Sequence, residues 1–153
     1  MTRSSRALPA ILVAGSAAGA LDLAFAIGLT LAYGGVPSRM LQGIASGLLG
    51  AAAFEGGAAT AALGVLCHFT IATGAAALFY AASRRLRDLV ERPWLAGSLF
   101  GIAAYLVMNL VVVPLSAAAY RPKSAELIGI LVAGHVLFVG LPIAFTVRRF
   151  ERR

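Results

Sequence analysis

The amino-acid sequence predicts an all-α membrane protein, a four-transmembrane-helix bundle with a short interfacial or re-entrant helix between spans 1 and 2. Three observations predict it. Of the 153 residues, 60% are hydrophobic and 12% are charged, about half the charged fraction of a typical soluble domain. The mean hydropathy is +0.89. Apolar stretches long enough to cross about 30 Å of hydrocarbon occur four times. We therefore expect residues 1–153 to form a single integral membrane domain.

The four spans are predicted where about 20 or more mostly apolar residues follow one another. They are expected at about 8–33, 58–83, 94–116 and 127–147. Aromatic residues that favour the headgroup layer lie at or near the ends of these spans: Tyr33, Tyr80, Trp94 and Tyr120. Residues 40–54 are also apolar, but as a helix they reach only about 22 Å, which is too short to span comfortably. This segment predicts the short helix at the outer face.

The basic residues predict the orientation. With both termini in the cytoplasm, ten of the 13 Lys and Arg residues lie inside, and Arg39, Arg121 and Lys123 lie outside. Such a bias is typical of short cytoplasmic loops. We interpret these residues as topology anchors beside anionic lipid headgroups, and expect the lipid bilayer rather than nucleic acid as the partner. The predicted location is the bacterial inner (cytoplasmic) membrane, with the N-terminus and C-terminus cytoplasmic. The first apolar run continues to Tyr33, which favours an uncleaved anchor over a signal peptide.

Small residues are spaced so that the helices can approach one another closely. GxxxG patterns occur at Gly15 and Gly19 in the first span and at Gly97 and Gly101 in the third, and Gly64 lies on one stripe of the second. Because hydrophobicity gives little association in lipid, such faces predict close helix contacts. Within one chain they would form a compact bundle. The alternative is a homo-oligomer or a larger membrane complex. Pro142 is expected to disrupt the inner half of the fourth span.

A layer of polar residues is predicted inside the membrane. Counting 1.5 Å per residue from the span ends places Asp22, His68, Asn109 and His135 at one level, at or just outside the midplane. A charged side chain at that depth is costly, so Asp22 is expected to face the bundle interior, within hydrogen-bonding reach of His68 or His135, either directly or through one water. This candidate intramembrane polar site has two interpretations: a structural clamp, or a site for protons, ions or a small solute.

The two histidines are also candidate ligands for a cofactor or a metal ion. His68 and His135 could ligate a haem b iron from neighbouring helices, and with Asp22 they offer ligand types that suit zinc. Neither has a diagnostic spacing, so the prediction is no cofactor and no metal. The single cysteine, Cys67, excludes an internal disulfide and a CxxC pair. The sequence has no GxSxG, Walker, Rossmann or HExxH pattern, which predicts that the protein is not an enzyme.

Short motifs in the second half of the chain resemble the YagU-like family of bacterial inner-membrane proteins, whose biochemical role is uncharacterised. These are His68-Phe69-Thr70 in an apolar span, Leu95-Ala96-Gly97 entering the next, Pro114-Leu115 closing it, and Gly134-His135 before a basic tail. The resemblance implies an inner-membrane location and no assigned chemistry. The predicted function is therefore a non-enzymatic accessory or structural subunit of unassigned biochemical role. The alternatives are proton, ion or small-solute permeation through the polar layer and, less favoured, bis-histidine haem electron transfer.

Overall fold

The computed structural model describes residues 6–119 and 123–152, and within these ranges it contains helices and no strand. The helices are α1 (Ala7–Ala32), α2 (Pro37–Leu49), α3 (Gly57–Ser83), α4 (Asp88–Glu91), α5 (Pro93–Leu115) and α6 (Ala125–Glu151). Helices α1, α3, α5 and α6 are long and apolar enough to cross a membrane, which confirms the prediction of an all-α four-helix membrane bundle. Four residues used in the sequence predictions lie outside the described residues: Arg3, Tyr120, Arg121 and Arg153.

Helices α1, α3 and α5 begin and end within one residue of the predicted spans. Helix α6 begins two residues before the predicted span and continues to Glu151, four residues past its predicted end. The extension contains Arg148 and Arg149 in the last turn of the helix. Both are good helix formers, and cations near a helix C-terminus interact favourably with the helix dipole. A hydropathy pattern ends at the last apolar residue and cannot detect such an extension.

The short helix between the first two spans begins at Pro37, three residues before the predicted segment. Proline is tolerated at this position because the first helical N–H has no partner within the helix. The α-helix ends at Leu49 and is capped by Gly50, whose φ of +58° favours glycine, and residues Gly50–Phe54 continue as a 3-10 helix. Helix α2 packs against α3, so closely that a Cβ atom on Gly64 would overlap the carbonyl group of Leu41.

The long helices pack as neighbours in the order α3, α1, α6, α5: α1 packs against α3 and α6, and α6 packs against α5. We call the end of the bundle that holds Arg6 and Arg152 the terminal end, and the end that holds α2 the loop end. A buried core lies toward the terminal end. Ala10 and Ala14 on one side of α1 let the other helices approach closely. The larger side chains of Phe79, Ile143 and Val147 fill the remaining space.

Glycines lie where these neighbouring helices meet. A Cβ atom on Gly15 would be 2.7 Å from the Cα atom of Thr73, and one on Gly19 would be 2.8 Å from the ring of Phe69, both on α3. A Cβ atom on Gly101 would be 2.6 Å from the carbonyl oxygen of His135 on α6. Gly15 and Gly19 of α1 therefore face α3, and Gly101 of α5 faces α6, within a single chain.

Helices α5 and α6 each contain a π-helical segment before a proline. Met108–Val112 precedes Pro114, and His135–Gly140 precedes Pro142. Proline has no N–H group to donate to the carbonyl four residues earlier, and a π-helical turn is one of the known adjustments around such a break. The disruption predicted at Pro142 thus takes the form of a widened turn that begins at His135. Such turns occur frequently at functional sites.

Candidate functional site

A groove separates α3 from α5, the first and last helices in this packing order. Its volume is about 510 Å³, and α1 and α6 form its floor. On the side of the groove nearer the terminal end, the ring of Phe79 meets the ring of Phe100 edge-on, with 5.0 Å between the ring centroids. At the loop end the groove reaches Ile44 of α2. Along α5 it extends over fourteen residues, Phe100 to Val113, which corresponds to about 20 Å.

The groove is open along one side. Ile71 and Leu78 on α3 and Val107 on α5 line it, yet each of these side chains is also exposed on the surface of the bundle. In a membrane these surfaces face lipid acyl chains, because both helices are long enough to span the hydrocarbon layer. The opening is therefore lateral, toward the bilayer.

All four residues predicted as the polar layer line this groove: Asp22, His68, Asn109 and His135. His68 donates a hydrogen bond from Nε2 to the carbonyl oxygen of Gly19 on α1, at 2.9 Å. The same nitrogen lies 3.9 Å from Oδ2 of Asp22, one turn further along α1. Both side chains are about one-seventh exposed, at 14% and 15%. Asp22 thus points into the bundle beside His68, as expected. The separation is an ion-pair distance, however, and the direct hydrogen bond is made to Gly19 instead.

His135 lies across the groove floor, at the start of the π-helical segment of α6. Its Nδ1 is 2.9 Å from the carbonyl oxygen of Leu131, one turn earlier, and its ring packs edge-on against Tyr105 with 5.4 Å between centroids. In a neutral imidazole only one nitrogen carries a proton. A neutral His135 therefore donates from Nδ1 and keeps Nε2 as an acceptor, while a neutral His68 donates from Nε2 and keeps Nδ1.

Asn109 lies one turn closer to the loop end than Tyr105, so the four polar side chains do not share one level. Its Nδ2 donates to the carbonyl oxygen of Tyr105 at 2.9 Å, and its Oδ1 accepts from Nζ of Lys123 at 2.9 Å. Depth counting placed Asn109 with the others because it assigned α5 the same vertical position as its neighbours. The groove is thus polar in two places: a histidine and carboxylate region at middle depth, and an asparagine and lysine pair at the loop end.

Lys123 is a groove residue that sequence reasoning missed. It was assigned only to the group of outer basic residues, because it stands just before the fourth span. The structure shows it half-buried and lining the groove, fourteen positions along the chain from Asn109. The sequence contains a weak signal for this pairing, since a short connection between α5 and α6 brings the loop ends of two antiparallel helices together.

The positions of Asp22, His68 and His135 bear on the two metal hypotheses, zinc and haem iron. Within the described ranges, no three His, Cys, Asp or Glu residues come close enough to hold a metal ion, and Asp22, His68 and His135 do not form such a group. For haem ligation through its Nε2, His68 would have to give up the hydrogen bond to Gly19. The donor arrangement of these residues therefore fits hydrogen bonding within the bundle better than it fits metal coordination.

Fold and site together define a small multi-pass α-helical membrane protein with a laterally open, largely apolar groove that carries a few polar groups. Comparison with known proteins adds no further assignment: no protein-family model matches the chain, and neither a curated protein nor a solved structure gives a significant match.

Proposed function

We propose that this protein is a non-enzymatic membrane protein that binds one lipid-soluble, amphipathic molecule in the groove between α3 and α5. The observation that carries this proposal is the groove itself, which is about 510 Å³ in volume and bordered by six polar side chains. Ligand sites are typically concave, about 300–1,000 Å³ in volume, and mostly apolar with a few placed polar groups. The protein would act as an accessory or structural subunit that holds this molecule, and we propose no metal or prosthetic group.

The lateral opening determines where the ligand comes from. The groove opens beside Leu78 and Val107, which are exposed on the lipid-facing surface. A ligand dissolved in the bilayer reaches such a groove without crossing the headgroup layer. A water-soluble ligand would meet apolar walls along most of its path. The polar groups at middle depth and at the loop end would then fix the orientation of an amphipathic molecule, since a buried hydrogen-bonding group needs a partner.

Binding can be tested with two matched glycine substitutions. Gly74 lines the groove and Gly129 does not, and at both positions a Cβ atom would meet open space. Gly74→Phe should therefore fill the groove without a clash, whereas Gly129→Phe adds the same ring elsewhere. Native mass spectrometry of the full chain released from mild detergent should show a retained lipid-mass adduct in the wild type and in Gly129→Phe. Loss of the adduct in Gly74→Phe alone supports the proposal. Absence of any adduct from the wild type, or its equal retention in Gly74→Phe, refutes it.

We further propose that the protein lies in the bacterial inner membrane with its terminal end in the cytoplasm. Most of the described basic residues support this orientation because they lie at the terminal end: Arg6, Arg84, Arg85, Arg87, Arg92, Arg148, Arg149 and Arg152. At the loop end lie Arg39 and Lys123. Alkaline phosphatase fused after Ser124 should be active and fused after Arg92 inactive. The reverse pattern would show the opposite orientation. Membership of the YagU-like family stays a hypothesis on the motifs given above.

Permeation of protons, ions or a small solute is the second candidate function. It is favoured by one observation, that Asp22, His68 and His135 line the same groove. A continuous path would have to pass the contact between Phe79 and Phe100, which closes the groove at the terminal end. If permeation is the function, proteoliposomes should show a proton or solute flux that Phe100→Ala increases. Retention of a lipid without any such flux would favour the binding function.

A further inference from the structure

We infer that the molecule in the groove is an anionic phospholipid, with one acyl chain between α3 and α5 and its headgroup phosphate held by the ammonium group of Lys123. This inference rests on the proposed binding function and specifies the ligand. Three properties of the groove carry it: the charge at the loop end, the length of the apolar part, and the closure at the terminal end.

The charge at the loop end is positive. Lys123 is half-buried, lines the groove, and donates one hydrogen bond to Oδ1 of Asn109. An ammonium group has three N–H donors, so this bond fixes the position of the nitrogen and leaves further donors for phosphate oxygens. Among the described residues, no carboxylate forms an ion pair with Lys123. The carboxylate that lines the groove, Asp22, lies beside His68 at middle depth. The charge at the headgroup level therefore complements an anion.

The part of the groove between Lys123 and Phe100 has the length of one lipid tail. From Lys123 the groove continues toward the terminal end past Ala104, Ala75 and Leu78, as far as Phe100. Along α5 this part extends nine residues, about 14 Å, from Asn109, which accepts the hydrogen bond from Lys123, to Phe100. The hydrocarbon core of about 30 Å contains two layers of acyl chains, so one tail occupies about 15 Å. With the loop end outside, the headgroup of a lipid in the outer leaflet would lie level with Lys123.

The closure at the terminal end disfavours a partner helix as the occupant. A transmembrane helix is about 10 Å across and must continue through the full hydrocarbon core of about 30 Å. The groove is closed by Phe79 and Phe100 before it reaches the terminal end. An acyl chain ends at the middle of the bilayer and needs no continuation beyond that point.

The charge can be tested in the full chain purified into mixed micelles that contain equal amounts of phosphatidylglycerol and phosphatidylcholine with identical acyl chains. Native mass spectrometry then measures the ratio of the two lipids retained. The wild type should prefer phosphatidylglycerol by about fivefold, the factor expected of one basic residue near an anionic headgroup. Lys123→Gln should bring the ratio near one while a lipid is still retained, and Lys123→Arg should keep the preference.

Arg39→Gln is the matched control. Arg39 is also at the loop end, but its guanidinium donates to the carbonyl oxygen of Phe54 and lies over that ring, outside the groove. The control should therefore retain the wild-type ratio. An equal loss of preference in Arg39→Gln and Lys123→Gln would assign the effect to general surface charge and overturn the inference.

The remaining outcomes separate the two proposals. A wild type that retains lipid without a headgroup preference, or whose preference survives Lys123→Gln, refutes the anionic-lipid inference but leaves binding in the groove intact. A wild type that retains no lipid refutes the binding function itself. A polypeptide that co-purifies with the wild type and is lost in Gly74→Phe would show that a protein, and not a lipid, occupies the groove.

Discussion

The close contact between α5 and α6 can be tested at Gly101. A Cβ atom at this position would lie 2.6 Å from the carbonyl oxygen of His135, 2.6 Å from Cα of Val136 and 2.8 Å from its nitrogen. All three atoms belong to the backbone, so no side-chain rotation can relieve the contact. Ordinary contact begins at 3.4 Å, and the two helices would therefore have to separate by about 0.8 Å.

The expected cost of Gly101→Ala follows from this displacement. Inserting a methyl group into a well-packed contact typically destabilises a protein by about 1–3 kcal/mol. We expect the upper half of this range, because separating the helices also disturbs the neighbouring contact between Gly97 and Gly140. Alanine raises helix propensity relative to glycine by roughly 0.5–1 kcal/mol, which offsets part of the cost.

Gly129→Ala is the control, because it makes the same chemical change inside a helix where a Cβ atom meets nothing within 4 Å. The propensity effect is common to both variants, so the difference between their free energies of unfolding isolates the clash. Unfolding by SDS in mixed micelles can be followed through Trp94, whose ring contacts Phe145 of α6 with 4.8 Å between centroids. Equal free energies of unfolding for the two variants would refute the close contact between α5 and α6.

Three further predictions concern polar contacts and use the same unfolding assay. Arg84→Ala should change the free energy of unfolding by less than about 1 kcal/mol, because its 3.4 Å pair with Glu151 is solvent-accessible; a larger loss would indicate a buried network. Gln42→Leu should cost about 1–2 kcal/mol, since the buried Gln42 amide donates to the Gly57 carbonyl oxygen at 3.0 Å, and an unchanged stability would contradict this bond. A double-mutant cycle of Asp22→Asn and His68→Gln should give a coupling below about 1 kcal/mol, because the two side chains are 3.9 Å apart. A coupling of about 1–2 kcal/mol, the range found for interhelical hydrogen bonds in model membrane peptides, would indicate a direct bond.

The sequence was sufficient to predict the helices but not their neighbours. Hydropathy and length define α1, α3, α5 and α6 because a spanning helix must satisfy its own backbone and be apolar over about 20 residues. The inward orientation of Asp22 was also predictable, since a carboxylate that faces lipid is strongly disfavoured. In contrast, the bond from His68 to the Gly19 carbonyl has no signal in the sequence. It depends on how α3 is rotated and shifted against α1, which is determined by packing around Gly19 and Phe69.

The groove itself is a consequence of where the small residues lie. Glycines on α1 bring α3 within backbone contact at Gly15, and glycines on α5 and α6 do the same at Gly101 and Gly140. The outer helices α3 and α5 use these close contacts on their inner neighbours, and they meet each other through larger side chains, the rings of Phe79 and Phe100. Where no such large pair fills the gap, space remains between the two helices. The same glycine contacts that give the bundle its stability thus leave the opening in which we place the ligand.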